Sequence, residues 1–121
     1  MTHQPGHRRA VNTPLGVIVI SAYAWRIDED HLDSAPPNAV GVAGPRDARL
    51  DDQGNPTGYA HHHQFRMYDD DNILYVTGTL FWDGESEPEE EFAYAPLRDY
   101  GTPGLGCVLV RYTGRPDWDC G

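Results

Sequence analysis

The chain has 121 residues, nine basic and 19 acidic side chains and a formal net charge of −10, and all nine bases are arginine. A chain of this length forms one domain, 1–121, and 39% hydrophobic residues suffice for a modest core. Without lysine there is no Walker phosphate lysine, no Schiff base and no lysine general base; the acidic balance argues against direct nucleic-acid binding, which draws on clustered positive charge.

Arg8 and Arg9 precede an apolar stretch, 15–24, that ends in Ala22-Tyr23-Ala24, the small-x-small form of a secretion-signal cleavage site. Asn12, Thr13 and Pro14 interrupt it upstream, and Val17, Ile18, Val19 and Ile20 are β-branched, so residues 15–27 read as one strand. Reading this stretch as a strand and not a secretion signal gives the expectation of a cytoplasmic protein, and no apolar run approaches the roughly 20 residues of a membrane span, so no membrane partner is expected. Pro36, Pro37 and Gly41 mark a loop. Pro45 and Gly54 suit the start and stop of a short helix over 45–52.

Residues 59–82 carry the clearest local signal, two strand-like runs around Asp69-Asp70-Asp71-Asn72, which predicts a β-hairpin. Pairing Tyr68 with Ile73 sets Met67 against Leu74, Phe65 against Val76 and His63 against Gly78. One face then holds His61, His63, Phe65, Met67, Val76, Leu80 and Trp82 as core, and the other holds His62, Gln64, Arg66, Thr77 and Thr79. Residues 84–104 read as a long ordered acidic loop pinned by Phe92, Tyr94 and Leu97. A last strand spans 106–113. The expected fold class is α+β, mainly β: a small antiparallel sheet of about four strands, one short helix and that loop. Cys107 and Cys120 have neither C-x-x-C spacing nor a metal-ligand spacing to histidine, and read as reduced thiols.

The run Phe65-Arg66-Met67-Tyr68-Asp69-Asp70-Asp71, with Ala95-Pro96-Leu97-Arg98-Asp99-Tyr100-Gly101-Thr102-Pro103-Gly104-Leu105-Gly106-Cys107, resembles short uncharacterised proteins of high-GC Gram-positive bacteria and their mobile elements. The resemblance covers roughly the C-terminal half. It implies a landmark at 96–107 and brings no activity with it.

Two constellations could carry function. On a strand, His61 and His63 point to one side and can offer a metal, zinc or another divalent ion, two imidazoles at once. Asp69, Asp70 and Asp71 with Glu85, Glu87, Glu89, Glu90 and Glu91 form an acidic array suited to a basic protein surface, by direct contact or as a nucleic-acid mimic. No G-x-S-x-G elbow occurs, the glycines at 101–106 lack dinucleotide spacing, and no EF-hand loop fits. The sequence thus reads as a non-enzymatic acidic binding protein engaging a basic partner, in the manner of an inhibitor, a nucleic-acid mimic or an accessory factor of a mobile element. The alternatives are a small-ligand or metal-binding protein, or minor hydrolase, centred on His61 and His63, and a structural component of a larger assembly.

Overall fold

The computed structural model describes residues 8–13, 16–32 and 39–121, with side chains from Ser21 onward. Strand β1 (Arg8–Thr13) pairs with β2 (Gly16–Ser21) as an antiparallel hairpin with a sheet of its own. After Ala22 the chain enters β3 (Tyr23–Asp30), which belongs to a five-stranded antiparallel sheet. One strand was expected over 15–27, and the described part, 16–27, falls in two strands in two sheets. At the break, the Ser21 hydroxyl accepts the Tyr23 N–H at 3.2 Å, and the Ser21 N–H donates to the Asp47 carbonyl at 3.0 Å. Serine bonding to nearby backbone competes with a continuous ladder.

The main sheet is completed by β4 (Ala43–Gly44), β5 (His61–Tyr68), β6 (Leu74–Trp82) and β7 (Leu109–Tyr112), in the order β4-β3-β6-β5-β7. Phe65 lies opposite Gly78, Met67 opposite Val76 and His63 opposite Leu80, two residues away from the expected register. A slip of two preserves side-chain parity, so Phe65, Met67, Val76, Leu80 and Trp82 are all buried as expected. The register moves because the connection is one residue longer, with Tyr68 opposite Leu74 and not Ile73, and the ladder shifts by one more between Met67 and Tyr68. Asp69 Oδ1 accepts the N–H groups of Asp71 and Ile73, each at 2.9 Å, and Asn72 takes a left-handed φ of 63°.

The helix lies where a loop was expected. Residues Glu90–Pro96 form α1, which continues as wider π turns over Leu97–Leu105. Glu90 and Glu91 favour the positive end of the helix dipole, while Phe92, Ala93, Ala95, Pro96, Leu97 and Gly101 share a buried side. Gly106, at φ 80°, ends it by donating to the Gly101 and Thr102 carbonyls. Residues 45–52, expected as a helix, are turns. Asp51 Oδ1 accepts the N–H groups of Gln53 and Asn55, and Thr57 N–H donates to the Arg49 carbonyl, closing a small loop instead.

One side of the sheet packs against the helix. Trp25, Ile27, Phe65, Met67, Leu80 and Trp82 meet Phe92, Ala95 and Leu97, and Cys107, Val110, Tyr112 and Trp118 close the end. At roughly 1.5–3 kcal/mol for each large apolar side chain fully buried, this cluster is the main source of stability. Both cysteines are free thiols. The fold is α+β, mainly β, and among the described residues no helix is long and apolar enough to cross a membrane.

Candidate functional site: an acidic cleft beside Trp118

The hairpin separates the two acidic groups that the sequence placed in one array. Asp69, Asp70 and Asp71 follow β5 at one end, whereas Glu85 to Glu91 follow β6 at the other. An eight-residue strand at about 3.3 Å per residue puts about 26 Å between those ends. They form two separate patches at opposite ends of the hairpin. One carboxylate oxygen from each of Asp69, Asp70 and Asp71 lies within 4.8 Å of the others, but Asp69 spends Oδ1 on the turn backbone.

At the other end the C-terminal segment folds back on the acidic run. Arg115 Nη2 donates to Glu87 Oε1 at 3.0 Å and to Asp117 Oδ2 at 2.8 Å, while its Nε donates to Asp117 Oδ1 at 3.1 Å. The guanidinium lies 4.1 Å from the centre of the Trp118 ring, and Trp118 Nε1 donates to Glu87 Oε1 at 3.2 Å. The Asp117 carboxyl is held below its ordinary range by the Arg115 hydrogen bond. Trp82 Nε1 adds a bond to the Glu85 carbonyl at 2.8 Å. Trp118 itself is buried, edge-on to Trp82 at 5.8 Å and to Tyr112 at 5.8 Å.

Beside this clasp lies a cavity of about 450 Å³ between α1 and the C-terminal segment, lined by Glu90, Glu91, Tyr94, Asp117, Trp118 and Asp119 among others. A second hollow of about 560 Å³ shares Pro88, Glu90, Asp117 and Trp118 with it and runs on past Glu85 and Glu87. Glu85, Glu89 and Glu90 have no ion-pair partner among the described residues. The cleft therefore combines an indole, the half-exposed Tyr94 ring and a surplus of carboxylates, a combination that suits a cation with an apolar stem.

His61 and His63 share a face, as their spacing predicts, and flank a shallow hollow of about 390 Å³ with Trp82, Ser86, Arg115 and Trp118. Each Nε2 lies on a backbone carbonyl, Gly84 for His61 at 2.9 Å and Thr113 for His63 at 2.6 Å, so each carries its proton there. Among the described residues, no other His, Cys, Asp or Glu joins them to make a set of three donors. The space expected beside Gly78 is filled: a Cβ there would collide with the Phe65 ring and the Arg26 carbonyl.

A part-buried polar network braces the helix on β3. Asp99 Oδ2 accepts from Tyr23 Oη at 2.7 Å and from Trp25 Nε1 at 3.1 Å, and Arg98 Nη2 donates to Tyr23 Oη at 2.8 Å. Burial, reinforced by Asp99, raises the Tyr23 hydroxyl well above its ordinary pKa. Sequence reasoning missed this network, and it missed Arg115, Asp117 and Asp119 as well. The one available signal was the alternation Arg115-Pro116-Asp117-Trp118-Asp119, whose charges nearly cancel and so drew no notice.

No protein-family model, curated protein or solved structure matches the chain.

Proposed function

We propose that the protein is a non-enzymatic binding protein whose acidic cleft at Trp118 receives a basic side chain from a protein partner. The observation that carries this reading is the Arg115 clasp. There the chain holds one of its own guanidinium groups between an indole face and two carboxylates, next to room for a second cation. Arginine suits such a place because its planar fork pairs with carboxylates while its face stacks on an aromatic ring. The net charge of −10 adds a long-range field that speeds encounter with a basic surface and weakens as salt rises. The Asp69–Asp71 end, about 26 Å away, lies outside this cleft.

The test is calorimetric titration with an arginine-rich peptide at low and physiological salt, comparing the native chain with the triple variant Glu85→Gln, Glu89→Gln and Glu90→Gln. Glu87 is left in place because it holds Trp118 and Arg115. Exposed pairs contribute a few tenths to one kcal/mol each, so the triple variant is expected to bind about tenfold more weakly. Equal affinity for native chain and variant, or affinity indifferent to salt, overturns the reading.

A further inference from the structure

The sheet face turned away from the helix carries a second unbalanced charge of the opposite sign. Arg66 on β5 and Arg111 on β7 are direct cross-strand partners, two like charges side by side where opposite charges are the stabilising choice. Neither forms an ion pair within the described residues, although these include every acidic residue of the chain except Asp33. The carboxylates nearest in the sheet are already engaged: Asp28 holds Arg26 at 3.1 Å and the Thr79 hydroxyl at 2.6 Å, and Glu29 accepts from the Thr77 hydroxyl at 2.9 Å. Arg66 Nε is buried with no hydrogen-bond partner among the described residues. Arg111 is steadied instead by the Tyr68 ring, 5.3 Å from its guanidinium carbon. A strongly acidic chain that leaves two adjacent arginines without a carboxylate has a local conflict that a bound anion would relieve.

We propose that Arg66 and Arg111 form a binding site for a phosphate monoester dianion. Cross-strand neighbours have Cβ atoms about 5 Å apart, which lets two guanidinium groups converge on one tetrahedral group, and two negative charges neutralise both. A carboxylate would balance only one of them. Nucleic acid is the poorer occupant, since the whole-chain charge of −10 repels a polyanion far more than it repels a single phosphoryl group. The phosphoryl group comes either from a free phosphate or small metabolite or from a modified side chain of another protein, and both present the same chemistry.

Thermal unfolding and NMR titration in phosphate-free buffer decide the matter, with inorganic phosphate and a phosphoserine peptide as separate probes. Saturable shifts confined to strands β5 and β7 are expected, with a rise in Tm that follows occupancy. Tighter binding of the peptide assigns the group to a protein, and equal or tighter binding of inorganic phosphate assigns it to a small ligand. Arg66→Gln and Arg111→Gln should each weaken binding about tenfold, while Arg46→Gln, which alters another arginine without an ion pair, should leave it unchanged. Arg111→Glu should abolish binding and raise Tm by a few degrees in the absence of phosphate, because it gives Arg66 a partner. The proposal is overturned by unsaturable shifts, by equal losses in Arg46→Gln, by a glutamate peptide binding as tightly as the phosphoserine peptide, or by a lower Tm in Arg111→Glu.

Discussion

The two ends of the β5–β6 hairpin are built from the same residue class and use it in opposite ways. At the Asp69 end the carboxylate turns inward, bonds two backbone N–H groups and fixes the turn. At the Trp82 end Glu85, Glu87, Glu90 and Glu91 line an open cleft, and Glu87 is held there by Arg115 and Trp118. Short aspartate side chains reach their own backbone, whereas longer glutamates rarely do so in a turn. Charge counted along the chain does not distinguish turn chemistry from a binding surface.

The largest expected effect breaks the cleft end. Trp118→Ala removes a buried indole that packs on Trp82, Tyr112, His63 and Arg115, and should lower stability by about 3–5 kcal/mol in denaturant titration. A loss below about 1 kcal/mol would mean that the C-terminal segment is not part of the core. Asp99→Asn takes the ionised acceptor from the Tyr23 and Trp25 donors and loosens Arg98, which lines the cleft, and should lower stability by about 1–3 kcal/mol, with the Asp69 end unchanged in NMR spectra. At the turn end, Asp69→Ala should lower stability by about 1 kcal/mol, since two backbone donors lose their acceptor. Glu90→Gln, facing the cleft, should stay within about 0.5 kcal/mol of the native chain. If Glu90→Gln proved as damaging as Asp69→Ala, the contrast between the two ends would fail.

Alkaline titration compares the ends in another way. Burial, followed by the charge of Asp69, pushes the Cys107 thiol up to about 12, and burial raises the Tyr112 hydroxyl at the cleft end. A group whose pKa is higher in the folded chain than in the unfolded chain contributes stability that is intact below the unfolded value and is lost as pH rises through the folded one. Stability should therefore be flat up to about pH 9, the thiol's ordinary value, and decline from there toward pH 12. Tm measured across that range checks it, and Cys107→Ala should shrink the earliest part of the decline, leaving the share of Cys120, whose thiol burial also raises. Modification of Cys107 by a thiol reagent at pH 8 should be slow enough to require unfolding.

The hairpin, its two faces and the class of fold were legible because alternation with period two survives a register error of two, as Phe65, Met67 and Val76 demonstrate. The helix was not. Gly101, Pro103 and Gly104 are poor helix formers within a stretch that reads as a loop, and only tertiary packing of Phe92, Ala95 and Leu97 on the sheet holds it in helical and π turns. The cleft was half legible. Its glutamates stood out in the sequence, whereas Trp118 and Arg115 gain meaning only when the last segment returns to the sheet. Arg66 and Arg111 lie 45 positions apart in sequence, and nothing local announces that β5 and β7 are neighbours.

That returning segment also touches the sheet's edge. Cys120 exchanges both backbone hydrogen bonds with Val110, at 2.9 and 3.0 Å, and so occupies part of the outer rim of β7. Unoccupied rims of this kind recruit strands from other molecules and seed aggregates. The stretch that walls the cleft is therefore also a guard against strand addition. A partner seated in the cleft would hold that guard shut, making the bound chain less prone to aggregate than the free one.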